Sequence, residues 1–177
     1  MLVEQAFHGA PTPMFEINAK AVYPAHGVGV IHKIETFQME GQDYQFYVLK
    51  ILDQGMTIRV PVENAENVGM RTVMKETKID EVFEVLKDRE VVADKQTWNR
   101  RYREYMNKIK TGDPLEVAAV LRDLALLKLE KTLSFGERKM YDQAYGLIVQ
   151  EIAVARDTDE DAVKEEIDII FQPEPES

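Results

Sequence analysis

The chain has 177 residues, 45% of them apolar and 31% charged, and no cysteine. That length allows one ordinary domain or two small ones, and the absence of cysteine excludes disulfide scaffolds, thiolate chemistry and cysteine zinc sites. No apolar run reaches the roughly 18 residues a bilayer span needs, and MLVEQAFHGAPTP lacks the basic start and apolar stretch of a signal peptide, so a cytoplasmic, membrane-free protein is expected.

The net charge of −10 argues against a nucleic-acid partner until its distribution is read. In WNRRYREYMNKIK, residues 98–110, five bases (Arg100, Arg101, Arg103, Lys108, Lys110) face one acid, Glu104. From Arg156 to Ser177 nine acids face only Arg156 and Lys164, so the acidity gathers at the C-terminal end.

Residues 1–13 contain Pro11 and Pro13 and no apolar period, as expected of a flexible extension. From Lys20 the texture is that of strands: AVYP, GVGVIHKIE, YQFYVLKI after a Glu40-Gly41-Gln42 turn, and MTIRV after Asp53-Gln54-Gly55, closed by Pro61. Short strands with glycine turns predict a small β-barrel or a strongly bent antiparallel sheet.

Past Val73 the apolar period changes to 3.6. Ile79, Val82, Phe83 and Leu86 predict a helix from Thr77, and Trp98, Tyr102, Tyr105 and Ile109 predict a second, ended by Thr111-Gly112. Asp113-Pro114 opens a third as N-cap and first-turn proline, with Val117, Leu121, Leu124 and Leu127 facing in. Ser134 to Glu137 is a capping box for a fourth, whose inner face is Met140, Ala144, Leu147 and Ile148. A fifth, from about Thr158, carries Val163, Ile167, Ile170 and Phe171 before a disordered tail over 172–177. Strands first and helices second make this α+β with two domains, 14–72 and 73–171, the latter all-α with about five helices.

Catalytic chemistry is not signalled. His8, His26 and His32 lack metal-site spacing, and no carboxylate cluster has calcium-loop spacing. Gly27-Val28-Gly29 lacks the third glycine of a dinucleotide loop and leads into a strand, so it reads as turn geometry. No catalytic residue, metal or cofactor is expected.

The segments VYPAHGVGVIHKIE, YVLKI, MTIRVPVENAENVG, WNRRYREYMNKIKTGD, VLRDL and LSFGERKM closely resemble the CarD/CdnL family of bacterial transcription regulators, over roughly residues 15–170. The resemblance implies a Tudor-like N-terminal domain, similar to the RNA polymerase interaction domain of a transcription-repair coupling factor, that docks on the polymerase β subunit. The family's contacting arginine, in the strand matching MTIRVP, carries over to Arg59, with Ile58 beside it. A second family arginine is replaced here by Phe37, which with Met39 can supply an apolar contact instead.

The resemblance further implies that Trp98 is exposed and wedges into the promoter minor groove at the upstream edge of the bubble. Arg100, Arg101 and Arg103 would neutralise phosphates beside it. Periodicity alone puts Trp98 in the core with Tyr102, Tyr105 and Ile109; at the helix start it can leave that stripe while the other three stay buried, and the wedge is the reading adopted. The function so implied is a monomeric, non-enzymatic factor, nucleoid-associated through polymerase, that binds DNA weakly without sequence readout and favours the open promoter complex. The rival is a protein-interaction adaptor without DNA contact.

Overall fold

In the computed structural model, residues 14–90, 96–173 and 175 are described; the expected extension over 1–13 lies outside them. Five antiparallel strands come first: β1 (Lys20–Tyr23), β2 (Gly27–Met39), β3 (Gln42–Ile51), β4 (Thr57–Pro61) and β5 (Arg71–Thr72). They form one sheet in the order β4-β3-β2-β1-β5, so the sheet is open and the bent-sheet expectation holds where the barrel does not. With β4 and β5 at opposite ends, no described strand pairs with the outer edge of β4. Glu40 and Gly41, with φ of 50° and 78°, turn the long β2–β3 hairpin; paired positive φ values suit a turn that follows strand twist. A register shift between Ile31 and Lys33 bends β2.

One face of this sheet closes over Ile31, Tyr47, Leu49, Ile51 and Val60, all nearly inaccessible. Phe15 seals its end, donating its N–H to the Tyr47 hydroxyl at 3.1 Å, with the rings edge to face.

Five helices follow: α1 (Glu76–Lys87), α2 (Trp98–Lys110), α3 (Pro114–Glu130), α4 (Phe135–Arg156) and α5 (Glu160–Ile170). Their starts follow the expected chemistry. The Asp113 side chain accepts from Leu115 N–H ahead of Pro114, and Ser134 and Glu137 form the complete capping box. A second apolar core runs from Met74 to Ile167 through Ile79, Leu86, Ile109, Leu121, Leu124, Ile148 and Ile152.

The two cores are joined by polar groups spent from α4. Glu151, 5% exposed, accepts from Arg71 Nη1 and Nη2 at 2.7 Å each and from Met74 N–H at 2.8 Å. Arg71 Nε donates to the Gly112 carbonyl at 2.9 Å, so one guanidinium joins the sheet's edge to the end of α2 and to α4. Gln150 accepts from Val28 N–H at 3.0 Å. Gly27, at φ +95°, faces that Gln150 oxygen so closely that a Cβ would stand 2.5 Å from it. The glycine pair flagged in the sequence is thus turn geometry plus close approach.

Removing one partner of a buried pair leaves an uncompensated charge. Glu151→Ala should therefore lower unfolding free energy by about 3–5 kcal/mol. Asp161→Ala, at a side chain 94% exposed, should move it by no more than about 0.5 kcal/mol. Denaturant unfolding of the full chain checks both, and equal midpoints would contradict the role given to Glu151.

Candidate functional site

On the sheet, side chains alternate between the core and an outer face. Glu35, Phe37 and Met39 of β2, Tyr44 and Phe46 of β3 and Arg59 of β4 share the outer face, as two contacts show. Arg59 Nε donates to Glu35 at 3.2 Å, and the Phe37 and Phe46 rings meet edge to face at 5.7 Å. Lys33 pairs with the same carboxylate at 2.8 Å, and these two cations hold Glu35 below the usual carboxylate range.

Phe37, Met39 and Tyr44 are 48%, 56% and 38% exposed, a concentration of apolar surface at the hairpin tip. Arg59 is held by a single carboxylate and is 57% exposed. The four sequence-predicted residues are not one cluster. Arg59 pairs in register with Val48 and Phe37 with Tyr44, four residues apart along β3 or about 13 Å at strand rise. Ile58, next to Arg59, turns to the other face and packs partly buried against the sheet core.

In the helix block, α2 begins at Trp98, which is partly buried. Its indole lies against the start of α4: a Cβ on Gly136 would stand 3.1–3.3 Å from Cζ2, Nε1 and Cε2 of the ring. Tyr102 meets it edge to face at 5.8 Å, and the Arg101 guanidinium lies over it at 5.4 Å from the ring centre.

The stripe expected along α2 is rotated. Tyr105 and Ile109 are buried, but Tyr102 is 46% exposed, while the Arg101 side chain is only 15% exposed. Taken from Trp98, Tyr102 lies about 40° to one side and Arg101 about 60° to the other. The buried Glu137 carboxylate draws the guanidinium inward, with Arg101 Nη2 donating to it at 3.4 Å. Arg100 and Arg103 remain exposed.

Glu137 is 2% exposed, yet burial does not neutralise it. Burial alone would raise its carboxyl, but the backbone N–H of Ser134 and the Lys131 ammonium, each donating at 3.0 Å, bring it from 4.5 to about 2.

One residue was missed by sequence reasoning. Phe135, the first residue of α4 and neighbour of Gly136, is 85% exposed, the most exposed large apolar side chain among the described residues. Its helical phase held the signal, since at 100° per residue it lies about 140° from Met140 and 180° from Ala144. Trp98 and Tyr102 are in ring contact and Phe135 is the neighbour of Gly136, against which the indole rests, while Arg100 and Arg103, about 160° and 140° from Trp98 around α2, carry exposed positive charge on the far side of that helix.

Among the described residues, no group of three or more histidine or carboxylate side chains could hold a metal, and no helix is long and apolar enough to cross a membrane. The described residues make an open antiparallel sheet followed by a block of five helices. Residues 15–74 match the family description "CarD-like/TRCF RID domain" and residues 81–168 match "CarD, C-terminal domain". YdeB of Bacillus subtilis (strain 168), which carries a transcription-factor name, is 33% identical over 152 residues, 85% of this chain and 98% of that protein. The solved structure of CdnLNt from Myxococcus xanthus is 41% identical, covering 38% of this chain and 96% of that one, with a TM-score of 0.30. The protein belongs to the CarD/CdnL family of transcription factors.

A carboxyl depressed on folding stabilises the fold above its unfolded value and loses that contribution as pH falls through its folded value. The stability gap between the protein and Glu137→Gln should accordingly be full above pH 4.5 and shrink as pH falls toward 2. Unfolding of both proteins across that range checks this; a gap unchanged at low pH would contradict the charged, buried state of Glu137.

Proposed function

We propose that this protein binds the β subunit of RNA polymerase through its first domain, residues 14–72, and promoter DNA through its second, residues 73–171. There Trp98 enters the minor groove at the upstream edge of the bubble and favours the open complex. The observation that carries the reading is the corner of α2 and α4. Trp98 packs partly buried against Gly136 at the start of α4 with Tyr102 against its ring, while Phe135, the residue before Gly136, and Arg100 and Arg103 of α2 are exposed, in a chain of net charge −10. A solvated helix face has no need of three aromatics, whereas apolar groups that unstack a base step, with arginines on the phosphates, use each of them.

The polymerase half rests on family membership and on a physical opportunity. Among the described residues no strand pairs with the outer edge of β4, which a partner strand can complete, with Arg59 beside it to set specificity. Because the basic patch is small, DNA affinity alone is weak. Tethering to polymerase raises the local concentration to about the millimolar range. A coupling of about 1–3 kcal/mol between wedge and melted fork then shifts promoter opening about 5- to 150-fold. The factor acts as a monomer and performs no chemistry of its own.

The adaptor reading draws on one observation, the partial burial of Trp98 against Gly136. The two part on the same variants. Trp98→Ala should cost about 1–2 kcal/mol of stability, between surface and core values, and reduce promoter opening by purified polymerase while binding to the β subunit persists. Arg59→Glu should abolish β-subunit binding in a folded protein. Arg100→Ala with Arg103→Ala should flatten the salt dependence of complex formation by about 0.9 per lost phosphate contact on a log-log plot. Opening that is indifferent to Trp98→Ala, with an unchanged salt slope, would leave the adaptor.

A further inference from the structure

Arg101 stands among the basic residues of α2, but its surroundings differ from those of Arg100 and Arg103. Its side chain is 15% exposed, its Nη2 is given to a buried carboxylate, and its Nε is buried without an acceptor among the described residues. A guanidinium so enclosed has little left for a phosphate in solvent. Its plane is instead offered to the Trp98 ring, at 5.4 Å.

Glu137, in turn, is fixed on three sides: by Ser134 N–H and Lys131 as acceptor, and by its own N–H, which donates to Ser134 Oγ at 3.3 Å. Gly136, next to it, brings bare backbone against the indole, and a Cβ there, at 3.1–3.3 Å, would push the ring by a few tenths of an ångström.

We propose that Glu137, Arg101 and Gly136 form a cradle that holds the Trp98 indole in one pose before any DNA arrives, so that Arg101 is a positioning residue and not a phosphate contact. A ring already fixed on α4 loses less conformational freedom on insertion than one free to rotate, and preorganisation of this kind raises affinity without adding a contact. Arginine is required because a planar cation can stack on the ring and reach the carboxylate together, whereas lysine offers only a point charge. This inference deepens the reading of Trp98 as a wedge and rests on it for its consequence in transcription; the held pose itself does not.

The chain's single tryptophan makes the pose measurable in the free, full-length protein. Glu137→Gln keeps a residue competent for the capping box, so α4 retains its start while the charge holding Arg101 is lost. Gly136→Ala supplies a better helix former inside α4 and pushes on the ring. Arg101→Lys keeps the positive charge.

All three should lower the tryptophan's fluorescence anisotropy and raise its quenching by acrylamide. The held pose should fall about 2- to 5-fold in population in Glu137→Gln and Arg101→Lys, the range one cation–π contact supplies. Gly136→Ala should do so with no loss of thermal stability, which a purely structural role would not allow. With polymerase and promoter DNA, Arg101→Lys should reduce opening while leaving the salt slope unchanged.

Anisotropy and quenching unchanged in all three folded variants would overturn the cradle. An Arg101→Lys protein that loses the held pose yet opens promoters as well as the parent would overturn the cradle's consequence in transcription, since a phosphate contact tolerates lysine. Should Trp98→Ala leave opening intact, the wedge fails by itself, and the fluorescence of the other variants still decides whether the ring is held.

Discussion

The start of α2 and the sheet are both tied to α4 by the few polar groups this helix buries. Three polar side chains are buried among the described residues, Glu137, Gln150 and Glu151, and all three lie on this helix. A buried polar group is tolerated only when its hydrogen bonds are satisfied, so each fixes the partner that satisfies it. Glu151 and Gln150 fix the sheet, through Arg71, Met74 and Val28; Glu137 fixes Arg101 and the start of α2. From residue 137 to residue 151 the helix runs about 21 Å, a stiff spacer between the corner that carries Trp98 and the seam that carries the sheet. A factor that must touch polymerase and DNA together gains from such stiffness, because effective concentration is lost when geometry forbids simultaneous engagement.

Charge is distributed to the same end. The basic residues gather on α2, the helix that begins at Trp98, while α5 and the residues after it carry the acids. Several acids on the helix block's surface serve the fold: Arg156 is shared between Glu76 of α1 and Glu166 of α5 and lies over the Phe83 ring, clamping α1, α4 and α5 together. A strongly negative protein can therefore present a positive corner to DNA while the rest of its surface repels the phosphates, which confines productive approach to that corner.

Much of this was legible in the sequence because its causes are local. The Asp113-Pro114 start and the Ser134–Glu137 capping box each state their structure within four residues, and the helical period past Val73 shows over the eight from Ile79 to Leu86; the three helices are found. What stayed hidden depends on distant partners. Nothing near Arg71 announces Glu151, 80 positions away, and β5 has only two residues, too few to show a period. The inward turn of Arg101 was hidden for the same reason: its cause is a carboxylate 36 positions on. Ile58 was grouped with Arg59 by adjacency, but neighbours in a strand face opposite ways.

The central claim is that Trp98 reaches promoter DNA only when polymerase brings it there. It is tested most directly by replacing Trp98 with the photo-crosslinker p-benzoylphenylalanine and irradiating the protein with promoter DNA, with and without polymerase. The account predicts a crosslink to DNA at the upstream edge of the melted region when polymerase is present, and none on DNA alone. Crosslinks confined to protein in the presence of a formed open complex would contradict it.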